Sequence, residues 1–164
     1  MHGQSFFRYL IAKKSEVKDF QFKDLLLAKT VIDIHRHKID TRLQYVELDR
    51  LVSIHAIDRK NAIKSLQQRC RQLKKNRTDI VKAGDISKQQ ILDYMPSISG
   101  IKVVKVGNTW VAFEGNGRLE AFKSVFKHVN NIRLEVEVFV VDAQAKICRR
   151  VRRVQRYNRL QMGK

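Results

Sequence analysis

The residues Glu114-Gly115-Asn116-Gly117-Arg118 gather groups suited to holding a phosphate. Gly115 and Gly117 lack a Cβ, so the backbone around them can take positive φ and a ligand can approach closely. A helix that opens directly after such a turn has N–H groups free of intrahelical partners, and they point at whatever lies in the turn. Arg118, in the first turn of that helix, adds a planar cationic fork that matches phosphate oxygens. Glu114 closes the preceding strand, where a carboxylate is placed to hold a metal ion bridging those oxygens. Short Gly-x-Gly turns are also common in proteins that bind no nucleotide, so the elements around the turn decide its meaning.

Those elements form a consistent order. Lys102 to Val106 and Thr109 to Glu114 are β-rich runs joined by Gly107-Asn108, a dipeptide that supplies positive φ for a tight hairpin. After the turn, Leu119, Phe122, Phe126 and Val129 recur at spacings of three and four, which predicts a helix with one apolar stripe. Arg133 to Val141, RLEVEVFVV, alternates as a strand. Upstream, Val46 to Leu66 reads as a strand, a short loop and a helix. The order of hairpin, G-N-G-R turn, helix and strand resembles the ParB/sulfiredoxin superfamily over residues 44 to 142.

That resemblance implies a fold, a ligand and several departures. Sulfiredoxins carry a reactive cysteine directly after the first glycine of this turn; Asn116 stands there, which excludes sulfinic acid reduction. Partition proteins of the ParB type bind cytidine triphosphate on a Gly-Glu-Arg-Arg turn, and this chain keeps Gly115 and Arg118 while replacing the middle pair with Asn116-Gly117. A nucleoside triphosphate with magnesium, ATP or CTP, is therefore the implied ligand, held by Gly115, Asn116, Gly117 and Arg118. Free serine kinases of the superfamily resemble the chain at Glu114, the implied metal ligand. Their loop glutamate, the catalytic base, is missing from Ser53-Ile54-His55-Ala56, which offers His55 as the nearest proton acceptor.

Charge points to a polyanion. The 164-residue chain has a net charge of +18, 43% apolar residues and one proline, which suits one domain with a real core. Residues 59 to 78 hold Arg59, Lys60, Lys64, Arg69, Arg71, Lys74, Lys75 and Arg77 without an acid. Residues 143 to 164 hold Lys146, Arg149, Arg150, Arg152, Arg153, Arg156, Arg159 and Lys164, again without an acid. Both runs read as amphipathic helices, with Ala62, Ile63, Leu66, Cys70 and Leu73 on one face of the first and Ile147, Val151 and Val154 on one face of the second. Like charges at i,i+4 repel by roughly 0.2–0.5 kcal/mol each, so a face that accumulates them is better explained by an anionic partner than by solvation alone. DNA contacts are expected from Arg69, Arg71, Lys74, Lys75, Arg149, Arg150, Arg152, Arg153 and Arg156. The second helix has no tryptophan or phenylalanine to insert into a membrane.

Elsewhere the signals are structural. Phe6 to Ala12 is interrupted by Arg8 and Tyr9 and lacks a cleavage pattern, so no secretory signal is expected. A helix is predicted around Lys23 to His37, and a short one over Asp85 to Met95 with Ser87 as its cap. Cys70 and Cys148 read as thiols of a reducing cytoplasm. His35 and His37 face different sides of one helix and read as surface residues, Trp110 as a core residue, and Tyr157 as packing among arginines. The expected architecture is one compact α+β unit: a helical extension over residues 1–43, a small mixed sheet with peripheral helices over 44–142, and a basic helix over 143–164. The function expected first is a cytoplasmic nucleotide-binding ParB-like protein acting on or near DNA, of plasmid or mobile-element type. Two alternatives stand beside it: a magnesium-dependent nucleotide hydrolase, nuclease or free-serine-kinase-like phosphotransferase using Glu114, and an inhibitory binding protein of a transfer or secretion machine. Nucleotide, DNA and a second copy of the chain are the partners to test.

Overall fold

A computed structural model describes residues 21–158. Helix α1 (Phe22–His37) opens with a reciprocal cap in which Gln21 N donates to the Asp24 carboxylate at 2.8 Å. It runs directly into strand β1 (Lys38–Glu47), with Lys38 already extended at φ −67° and ψ 124°. A single 3₁₀ turn, Leu48–Arg50, carries the chain to the short strand β2 (Leu51–Ser53), and a loop then leads to α2 (Lys60–Lys75). The first basic run is two helices, because Asn76 breaks it and α3 (Arg77–Ala83) follows. Gly84, at φ +70°, ends α3 and turns the chain into β3 (Asp85–Ile86).

Ser87 caps α4 (Lys88–Tyr94) as its sequence suggested: its hydroxyl accepts from Gln90 N, and Gln90 Oε1 accepts from Ser87 N. Asp85, expected at the start of that helix, instead pairs with Arg133 as part of β3. The hairpin β4 (Lys102–Val106) and β5 (Thr109–Glu114) turns at Gly107, which has φ +62°. Helix α5 (Asn116–Val125), strand β6 (Arg133–Val141) and helix α6 (Gln144–Tyr157) complete the chain. Val129 falls beyond the end of α5.

The strands form one mixed six-stranded sheet in the order β1-β6-β4-β5-β2, with β3 beside the start of β6. Pairs β1–β6 and β4–β5 are antiparallel; β4–β6, β2–β5 and β3–β6 are parallel. Strand alternation divides the apolar residues between two faces. Leu134, Val136 and Val138 join Leu73, Ile80, Ile91, Leu119 and Phe122 beneath α2 to α5. Phe139 and Val141 join Ile34, Ile147, Val151 and Val154 beneath α1 and α6.

The fold is α+β, with a mixed sheet and helices on both faces. The described part of residues 1–43 is a helix that buries Ile34 fully and most of strand β1, which continues past residue 43. Trp110 is half-buried against the first core cluster, and Ile63, expected on the apolar face of α2, is exposed. Phe6 to Ala12, Arg159 and Lys164 lie outside the described residues.

Candidate anion-binding site

Strands β2 and β5 run parallel with Ser53 opposite Ala112, so the loops that follow them open at the same end of the sheet. In open α/β sheets the carboxyl ends of the strands are where ligands are received. Gly115 stands there at φ +82°, ψ 16°, and its carbonyl accepts from both Arg118 N and Leu119 N at 3.1 Å, starting α5. A Cβ on Gly115 would lie 3.0 Å from Ile101 Cα, so conformation and space both require glycine. Gly117 has ordinary φ; its constraint is proximity, since a Cβ there would collide with Arg69 Nη1.

Arg118 is 4% exposed. Its Nη2 donates to Gly100 O at 2.9 Å, while Nε and Nη1 are buried without a partner. Burial, and then the charge of Arg69, push its pKa below the ordinary arginine value. Two guanidinium groups thus share one recess of about 430 Å³, lined also by His55, Ser97, Ser99 and Glu114. Buried donors normally find partners and buried cations are normally balanced, so an anion in this recess would supply what the two guanidinium groups lack.

Glu114 is less available than its position in the sequence implies. Lys102 Nζ lies 2.7 Å from Oε2 and His35 Nε2 2.8 Å from Oε1. Burial alone would raise its pKa, but the bonds from Lys102 and His35 hold it below the ordinary glutamate value. Both oxygens are therefore engaged, and among the described residues no three His, Cys, Asp or Glu side chains gather into a group that could hold a metal. These residues do not fit a bare magnesium site; such an ion would have to arrive on phosphates, keeping most of its water. His35 is exposed, as its sequence reading has it, and is also tied to the strand end, with its ring edge-on to Phe113 and Phe139.

Asn116 is buried and lines the recess, and its Oδ1 accepts from Ile54 N at 3.2 Å, joining the turn to the β2 loop. The same loop is reached from α6, where buried Gln155 donates Nε2 to Ser53 O at 3.4 Å. His55 Nδ1 sits 2.9 Å from Ala56 O. The loop is clamped to α1 by the ion pairs Lys23–Asp58 and Arg59–Asp24.

The expected nucleic-acid residues divide by direction. Arg71, Lys74 and Lys75 are exposed on α2, whereas Arg69 turns into the recess. On α6, Arg149, Arg152, Arg153 and Arg156 line an open concavity with Tyr157, which packs edge-on to Phe22. Arg150 does not join them: it pairs with buried Asp33 of α1 and ties the two helices together. No helix among the described residues is long and apolar enough to cross a membrane. No family model matches the chain, and no curated protein or solved structure matches it.

Proposed function

We propose that this chain is a nucleotide-binding protein of the ParB/sulfiredoxin type, working in the cytoplasm on or near DNA. The observation that carries the reading is Arg118, a nearly fully buried guanidinium with two unpartnered nitrogens, set beside Arg69 over a glycine turn at a helix N-terminus. A triphosphate supplies the missing counterion, with the backbone of the turn and both arginines as its contacts. The exposed arginines of α6 supply the duplex contact. Gln155, Ser53, Ile54 and Asn116 form a short hydrogen-bonded path between that helix and the turn, through which an occupied turn biases the DNA-binding face. Glu114, held by Lys102 and His35, orders the strand end in this reading and supplies no catalysis.

Calorimetry with each nucleoside triphosphate, with and without magnesium and duplex DNA, tests the proposal. Arg69→Gln is the cleaner variant, because Arg118 also supports the Gly100 carbonyl. It should weaken triphosphate binding by about 1.5–3 kcal/mol, the value of one hydrogen bond to a charged group. Absence of binding by every triphosphate to the folded protein would overturn the reading.

A further inference from the structure

The two ends of the sheet are finished differently. At the β2 end, Ile54 N donates to Ala112 O, so even-numbered peptides of that stretch face β5 and odd-numbered ones face away. The outward carbonyls are already taken: Leu51 O accepts from Lys123 Nζ, and Ser53 O from Gln155 Nε2. That edge offers no row of free acceptors.

Among the described residues the β1 edge is left open. Leu48 N donates to Ile132 O, and the register continues pair for pair to Asp40 opposite Val140, so the peptides of Thr41, Leu43 and Tyr45 face outward. Among the described residues no strand pairs with them. Ile39 is 65% exposed, Leu43 57% and Tyr45 39%. Natural edge strands are usually short, capped or charged, because an exposed apolar edge recruits another strand. Here the protection is a bulge between Lys38 and Asp40 and the Asp40 carboxylate, which accepts from Thr41 N at 2.8 Å and from Arg42 Nε at 2.7 Å.

The sequence of this edge identifies what fits it. Laid antiparallel on a second copy about a two-fold axis at Thr41, Asp40 meets Arg42 of the other copy twice, Thr41 meets Thr41, and Leu43 meets Ile39. At Thr41 and Leu43 the peptide groups face outward, while Ile39, in the bulge between Lys38 and Asp40, contributes its side chain to the seam. Moving the axis one residue either way would set Asp40 against Asp40 or Arg42 against Arg42, and like charges directly opposite are destabilising. The strand is also neutral, Lys38 and Arg42 balancing Asp40 and Glu47, within a chain of net charge +18. We infer that β1 is a self-association edge, through which two copies of this chain join antiparallel into one continuous sheet. The Asp40–Arg42 contacts inside one copy exchange for the same contacts across the axis, Thr41 N–H exchanges the Asp40 carboxylate for a carbonyl of the other copy, and Ile39 and Leu43 lose exposure. The inference is independent of the phosphate turn.

Sedimentation of the full, nuclease-treated chain over a concentration series tests it. Wild type should show a monomer–dimer equilibrium. Asp40→Arg and Arg42→Asp should each weaken it by an order of magnitude or more, and their thermal unfolding confirms that both remain folded. An equimolar mixture of the two variants restores opposite charges across the axis and should dimerise, as should the double exchange. Thr41→Pro, which removes one outward N–H and none that faces β6, should also give monomer. Monomeric wild type, or dimerisation indifferent to either charge reversal, overturns the inference. A monomer that dimerises only once residues 1–20 are deleted overturns it too and assigns the edge to that segment.

Discussion

Gly117→Ala should make this protein more stable and a poorer binder of triphosphate, two effects of opposite sign from one methyl group. Gly117 is the second residue of α5 and has no positive φ, so alanine adopts its conformation without strain. Alanine in place of a conformationally compatible glycine stabilises by about 0.4–1 kcal/mol, mainly by restricting the unfolded chain. The new Cβ would occupy the space of Arg69 Nη1, the far end of a flexible side chain that can swing away toward solvent. Removing it costs the bound anion one charge-assisted contact, about 1.5–3 kcal/mol, or one to two orders of magnitude in Kd. Gly115→Ala provides the contrast: its φ of +82° and the 3.0 Å approach to the Ile101 backbone predict lost stability of about 1–2 kcal/mol, with binding lost alongside. Urea unfolding without ligand reads the first quantity, and calorimetry with a triphosphate reads the second. Unchanged triphosphate affinity in Gly117→Ala would refute the role given to Arg69, and a drop in its stability would refute the geometry given to the turn.

Replacing Arg149, Arg152, Arg153 and Arg156 with glutamine should flatten the dependence of log affinity for duplex DNA on log salt by up to about four times 0.9, read by fluorescence anisotropy across a salt series. An unchanged slope moves the partner of α6 away from nucleic acid. Arg150→Gln should leave that slope unaltered and instead destabilise the fold by about 1–3 kcal/mol, because Asp33 would remain buried without its partner. Glu114 has a pKa below its ordinary value, so its ionised form stabilises the folded chain above the unfolded-state pKa of about 4.3, and that contribution fades as pH falls through the lower folded value. Unfolding of wild type and Glu114→Gln across pH should therefore show a constant gap near neutrality that closes in acid; a gap that widens in acid contradicts the Lys102–His35 clamp.

Where the chain carries strong local signals, its sequence was readable. The hairpin, the turn, α5 and β6 combine glycines at their joints with clear periods of two and 3.6 residues. Val46 to Leu66 was readable in order but not in its joints, since β1 ends there and a 3₁₀ turn intervenes before β2. The junction of α1 and β1 was hidden because no glycine or proline marks it: the helix passes into the strand at Lys38. Strand β1 was equally hidden, since it lies at an open edge with every residue but Val46 exposed, so no apolar alternation records it. Two residues of β3 are too few to carry any period. The pairing of His35 with Glu114 joins residues 79 positions apart, and nothing local announces it.

The arginines are a different case, because their division was written in helical phase. Arg150 lies three residues after Ile147 and four before Val154, which places it on the border of the buried stripe, and it points inward to Asp33. Arg69 lies three residues after Leu66 and four before Leu73, and it too turns toward the protein, into the recess beside Gly117. Residues read together as one cationic face therefore separate into two kinds. Arg150 meets an acid of its own chain, and its charge is consumed in holding α1 to α6. Arg69 meets another arginine, and among the described residues Glu114, the acid lining their recess, is already bonded by Lys102 and His35. Glu137 and Glu114 of the same chain offset part of that like charge on Arg118, and an anion in the recess would offset more of it. That imbalance, rather than the glycine pattern that first marks the turn, is the physical reason to look for an anion there.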